Sequence, residues 1–177
     1  MKIFSAQTNE HKEFSLIEFS SELVALPLIN ELAREVKLID MFSLLNGNFV
    51  VFISCNNLKK TFERLKSHPS TIGGYFTNDT NMESLQAFYY LNKASISDTV
   101  IVLETEKFYK LFEVMDQAIK AGIQVLDLKN QRSFTKNTLY LTGELSKTKN
   151  FSAGFAQDKD VKCILIEKLS ENLLNYI

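Results

Sequence analysis

Apolar and polar positions along the chain alternate between a strand-like and a helix-like period, and the whole progression occurs twice. FSLIEFS (14–20) reads as a strand. ELVALPLINELAREV (22–36) places Leu28, Ile29, Leu32 and Val36 on one helical face. Pro27 would delete a backbone hydrogen bond there, so the helix is expected to start near Leu26. KLIDMF (37–42) and FVVFISC (49–55) read as strands flanking the turn SLLNGN, in which Asn46–Gly47 signals a two-residue hairpin. NNLKKTFERLKSHP sets Leu58, Phe62 and Leu65 on one helix face and stops before Pro69. IGGYFT (72–77) is the available fourth strand, and MESLQAFYYLNK (82–93) reads as a closing helix.

The second half repeats this order. DTVIVLE (98–104) is a β-branched, apolar strand. The helix that follows carries Phe108, Leu111, Phe112, Met115 and Ile119 on one face, with Thr105 able to cap its start and Gly122 its end. IQVLDL (123–128) and NTLYLTG (137–143) are strands around the polar turn KNQRSFTK. The polar segment ELSKTKNFSAGFAQD, a last strand VKCILIE (161–167) and the short helix SENLLNYI complete the chain. Each half is thus β-α-β-β-α-β with a trailing helix. The fold class expected is α+β, two tandem ferredoxin-like domains spanning 1–94 and 95–177. LAREVKLIDMF (32–42) and AIKAGIQVLDL (118–128) echo one another, with Asp127 following Asp40 by 87 positions (127 − 40). Internal duplication explains the echo.

Particular residues carry a resemblance to a known family. The first strand of each half ends in an acidic residue, Glu18 in SLIEF and Glu104 in IVLET. MDQAIKAG carries Asp116 with Lys120 one turn later, where the first half has Asn30 and Arg34. LTGELS places Gly143 and Glu144 at the end of a third strand, where the first half has Cys55 and Asn56. In these respects the chain resembles the tandem-domain form of the bacterial microcompartment (BMC) shell proteins, over about residues 13–66 and 97–170. It departs from the family in a bulky first helix, a shorter loop after it, and turns that are not glycine-rich. The resemblance implies a non-enzymatic protein that assembles as a pseudohexameric homotrimer and tiles a shell facet with itself and other shell proteins. It implies a pore lined by Ser43, Leu44, Leu45 and Asn46 from one turn and Gln131, Arg132, Ser133 and Phe134 from the other. Arg34, Asp116 and Lys120 would lie at subunit edges. For Arg34 and Lys120 the plainer alternative is a solvated cation at a helix end.

Composition narrows the chemistry. Of 177 residues, 45% are hydrophobic and 23% charged, with a net charge of −1, which argues for a packed core and against nucleic acid or anionic membrane as partner. The start lacks the apolar stretch of a signal peptide, and no apolar run approaches the roughly 20 residues of a membrane span. A cytoplasmic location follows as the expectation, within a microcompartment shell if the resemblance holds. Cys55 and Cys163 are too few and too far apart for a disulfide framework or zinc site, and read as packed thiols. His11 and His68 sit in polar segments without a neighbouring Cys or acidic cluster. TIGGYF lacks the Lys-Ser/Thr of a P-loop and reads as a glycine bend. Phe88, Tyr89 and Tyr90 read as helix packing, because no basic residues interleave with them. No cofactor and no metal are called for. A rival reading keeps the same fold as a duplicated small-ligand-binding regulatory protein; a second rival is an enzyme whose site assembles from scattered residues.

Overall fold

The structure, a computed structural model, describes residues 13–78, 95–97, 99–130 and 136–168. Contacts divide the chain into two compact units, Met1–Thr80 and Asn81–Ile177. The expected boundary between 94 and 95 borders residues 79–94, which lie outside the described residues, as do the two trailing helices and the run Phe88–Tyr90.

The first unit runs β1 (Phe14–Phe19), α1 (Glu22–Leu32), β2 (Lys37–Ser43), β3 (Phe49–Ser54), α2 (Leu58–Lys66), β4 (Thr71–Thr77). The second runs β5 (Thr99–Thr105), α3 (Phe108–Lys120), β6 (Gln124–Asn130), β7 (Asn137–Gly143), α4 (Leu145–Ala153), β8 (Lys162–Ile166). Both sheets are antiparallel, ordered β2-β3-β1-β4 and β6-β7-β5-β8. This is the split β-α-β arrangement in which each helix crosses over between non-adjacent strands.

The alternation in β1 and β3 decides which face takes the helices of the first unit. Ile17, Phe19, Phe49, Val51 and Ile53 form one core with Ala25, Ile29 and Leu32 of α1 and Leu58, Phe62 and Leu65 of α2. The alternate residues Phe14, Leu16, Val50 and Phe52 are also buried, so both faces of these central strands are dry. Ser15 lies in β1 with its hydroxyl buried and, among the described residues, without a hydrogen-bond partner. Ser15→Ala is expected to raise the denaturation midpoint, by about 1 kcal/mol, because an unpaired buried hydroxyl carries a desolvation cost and no compensating bond. A drop in midpoint would show that the hydroxyl is satisfied after all.

Several local expectations are corrected. α1 begins at Glu22, not near Leu26, and keeps Pro27 inside it. The carbonyl that Pro27 cannot serve belongs to Leu23, which is 86% exposed and open to water, while Ala25 anchors the early turn in the core. Val36 is buried but lies past the end of the helix, and Ile119 is only half-buried while Val114 and Ala118 are fully covered. Gly73 and Gly74 do not make a bend: β4 is a strand through both, and the positive-φ glycines described are Gly47 and Gly122. Gly74 serves close packing instead, since a Cβ there would meet the Leu16 carbonyl oxygen at 2.8 Å and Phe62 Cε2 at 2.9 Å.

At the end of α3, Gly122 does what the sequence suggests. With φ 73, it lets its own N–H reach the Ile119 carbonyl and the Ile123 N–H reach Ala118, both at 2.9 Å. Thr105 leads into the same helix by accepting the N–H of Lys107, which itself holds the N-cap position, at 3.2 Å; Thr105 thus lies two residues ahead of the cap.

The polar segment after β7 is helix α4, whose one buried residue is Thr148. It docks through hydroxyls in place of an apolar stripe. Thr148 Oγ1 lies 2.8 Å from Thr99 Oγ1, Thr99 bonds the Gly143 carbonyl at 2.9 Å, and Thr142 bonds the Thr99 carbonyl at 2.8 Å.

Candidate functional site: the hairpin turns and helix edges

The β2–β3 turn can be built atom by atom. Leu44 donates its N–H to the Asn48 carbonyl at 2.7 Å, and Gly47 donates to the Leu44 carbonyl at 3.0 Å. Leu45, Asn46 and Gly47 are therefore a three-residue loop, with Gly47 alone in the left-handed region at φ 87, not the two-residue turn that Asn46–Gly47 signals. Asn46 keeps a negative φ and spends its side chain on the Asn48 N–H at 3.0 Å. Ser43 donates its hydroxyl to the Glu22 carboxylate at 3.1 Å.

The two leucines of this turn part company. Leu44 is 7% exposed and covered within the chain, whereas Leu45 is 63% exposed. The tip is held to the sheet by a residue that pattern reading missed: Asn48 donates its side-chain N–H to Glu18 Oε1 at 2.8 Å, and Glu18 is wholly buried. A hydrogen bond in a dry setting is not weakened by competing water, so this contact fixes the turn on β1. Gln131, Arg132, Ser133 and Phe134 of the second turn lie outside the described residues.

The bulge beside each turn explains the Asp40–Asp127 echo. In the first unit the β2–β3 register slips between Leu38 and Asp40; in the second the β6–β7 register slips between Val125 and Asp127. In each, the aspartate Oδ1 accepts the N–H of the next residue, Met41 or Leu128, at 2.8 Å. The extra residue of a bulge frees a backbone group, and a short carboxylate beside it can serve that group.

The helix-edge residues behave differently in the two units. Asp116 is 2% exposed and pairs with Lys120 Nζ at 2.8 Å, one turn along α3. Their counterparts Asn30 and Arg34 are both exposed, and Arg34 lies beyond the last residue of α1. The departure at Cys55–Asn56 has a compensation. The Leu58 N–H at the start of α2 is bonded by the carboxylate of Glu13, from just ahead of β1, whereas in the second unit Glu144 itself stands at the N-cap of α4.

The thiols and the described histidine sit in packing and turn roles. Burial, then the charges of Glu13 and Glu35, push the Cys55 thiol up, and burial pushes Cys163 up, so neither is poised as a thiolate. His68 accepts the Ser70 N–H on Nδ1 at 3.2 Å, a turn contact. His11 lies outside the described residues. Among the described residues, no group of three or more His, Cys, Asp or Glu could hold a metal, and no helix is long and apolar enough to cross a membrane.

The sequence matches no protein-family profile and no curated protein. Solved structures do match. A microcompartment protein from Desulfitobacterium hafniense DCB superposes with a TM-score of 0.69 at 15% identity, covering 92% of this chain and 98% of its own. An unknown protein from Galdieria sulphuraria (TM-score 0.31, 14% identity, 90% and 100% covered) is too distant to carry an argument. The same holds for the small subunit of acetolactate synthase from Thermotoga maritima (TM-score 0.28, 10% identity, 89% and 98% covered). What the first match establishes is architecture: over 92% of its length, this chain has an α+β fold that a microcompartment protein also has.

Proposed function

We propose that this chain is a non-enzymatic structural shell protein of a bacterial microcompartment, located in the cytoplasm. Its two units are tandem, duplicated BMC-like domains. Three chains close into a pseudohexameric ring that tiles a facet with copies of itself and with other shell proteins. The observation that carries this reading is the pair of four-stranded sheets with one strand order and one bulge position, in a fold that a microcompartment protein shares over 92% of this chain. Two like units per chain supply six around a threefold axis, and closed symmetry is the common state of homo-oligomers.

In that ring the turn Ser43–Asn46 faces the axis together with 131–134, and Leu45 is the apolar group it presents. An exposed leucine at a hairpin tip forgoes about 1.5–3 kcal/mol of burial, which axial packing would recover. Light scattering and sedimentation are expected to give a trimer. Leu45→Ser should weaken that trimer while leaving the denaturation midpoint nearly unchanged. A stable monomer would overturn the shell reading, and a dimer would favour a duplicated ligand-binding regulatory protein.

A further inference from the structure

We propose that the second unit carries a binding site for a small anion, one bearing phosphate or carboxylate groups, in the cleft at the turn end of its sheet. The site lies within one unit of one chain and goes beyond the shell reading without depending on it. The cavity measures about 180 Å³, and four lysines converge on it: Lys107 ahead of α3, Lys136 ahead of β7, Lys159 in the turn before β8, and Lys162 on β8.

The acidic groups of the adjoining turn are already committed. Lys107 pairs with Asp160 at 2.7 Å and Lys110 with Asp158 at 3.5 Å. Asp158 also accepts the Asp160 N–H at 2.8 Å. These contacts fasten the 158–160 turn to the start of α3 and hold Lys159 at the cleft. Lys136, Lys159 and Lys162 make no ion pair among the described residues. The carboxylates left to face them are Glu104, half-buried, and Glu106, exposed. Three uncommitted ammonium groups against two carboxylates leave a net positive cleft.

Comparison of the units sharpens this. Glu104 stands where Glu18 stands, each opposite the third strand of its sheet, at Thr138 and Val50. The step from β3 to β7 is therefore 88 positions (138 − 50), which carries Asn48 onto Lys136. On the other side of the carboxylate, Gly73 of β4 is replaced by Lys162 of β8. In the first unit the carboxylate is sealed, wholly buried and bonded to Asn48. In the second, two lysines open the same place into a cleft. Glu104, directly opposite Lys162, and Glu106 offset part of this charge, and the positive charge left over is what a small anion would neutralise. The volume sets the ligand's size: it lies well below the roughly 300–1,000 Å³ of drug-sized pockets, so the occupant has few heavy atoms.

The test is calorimetric titration of the full chain, at low salt, with inorganic phosphate and separately with citrate. Saturable binding of at least one probe is expected, with a Kd below about 1 mM. Lys136→Ala with Lys162→Ala should weaken it about fivefold or more, by the usual worth of two exposed charge contacts. Glu104→Gln should tighten it, by removing a like charge. Lys59→Ala with Lys60→Ala, on the exposed side of α2, should leave it unchanged. Should the alanine pair disturb folding, Lys136→Gln with Lys162→Gln removes the charges and keeps the side-chain length. Saturation by phosphate alone assigns a phosphate-bearing ligand, and by citrate alone a polycarboxylate. Absence of saturable binding up to about 10 mM of either probe would overturn the proposal, as would equal weakening by the α2 control. Neither result bears on the trimer, which sedimentation tests separately.

Discussion

Gly74→Val is expected to destabilise the first unit by about 3 kcal/mol, at the upper end of what overpacking a tight core costs. The cause is local and double. Gly74 pairs with Ile17 across β1, and α2 presses Phe62 onto the strand at that point. A Cβ would stand 2.8 Å from the Leu16 carbonyl oxygen, which is backbone and cannot swing away, and 2.9 Å from the Phe62 ring. Phe62 is itself held by stacking on Phe76, with centroids 5.6 Å apart. Gly74→Ala should act in the same direction with a smaller effect. Phe62→Leu added to Gly74→Ala should recover only part of the loss, because the carbonyl contact remains. The measurement is the denaturant midpoint, with hydrogen exchange assigning the change to the first unit. A Gly74→Val protein within about 0.5 kcal/mol of the parent would mean that β4 and α2 do not approach as described.

Lys120→Asp is expected to cost about 2–3 kcal/mol of stability in the second unit. Asp116 is almost fully buried, and Lys120 reaches it at 2.8 Å. Breaking such a pair leaves a carboxylate in a dry place, a loss of about 3–5 kcal/mol for a wholly buried pair; Lys120 is 34% exposed, so water softens it. The new carboxylate then adds repulsion at i,i+4. Lys120→Met should cost less, and Asp116→Asn combined with Lys120→Met should recover much of that loss, giving a measurable coupling between the two positions. Thermal and denaturant midpoints decide the matter, read beside a sheet-assembly assay. An unchanged midpoint with lost assembly would instead place Lys120 at a subunit edge, the role the family resemblance implies.

Element order was legible in the pattern because both central strands and most helices bury a strongly apolar face. Phe49–Ser54 and Asn137–Gly143 fall within a residue of where FVVFISC and NTLYLTG place them. IGGYFT, a weak strand by composition, forms β4 because pairing with β1 supplies what its glycines lack in side-chain packing. α4 was not legible as an amphipathic helix, since its docking rests on hydroxyls that only the fold brings together. In the turn, the Asn–Gly signal marked the hairpin but not its length. That depended on Asn46 using its side chain to hold Asn48 while Gly47 alone turned left-handed.

Two β-α-β-β-α-β units, their strand positions and the aspartate that recurs in each can be read from the pattern alone, because alternation and helical spacing record which residues meet the core. What those residues do follows from how the folded chain brings them together. The structure showed that Asp40 and Asp127 sit at matching bulges, that Leu44 turns inward while Leu45 does not, and that Asp116 is buried with Lys120. It also showed that Glu18 is sealed by Asn48 while Glu104 faces lysines from two other strands' ends. These outcomes depend on strand register and on partners dozens of positions away, and a one-dimensional pattern carries neither.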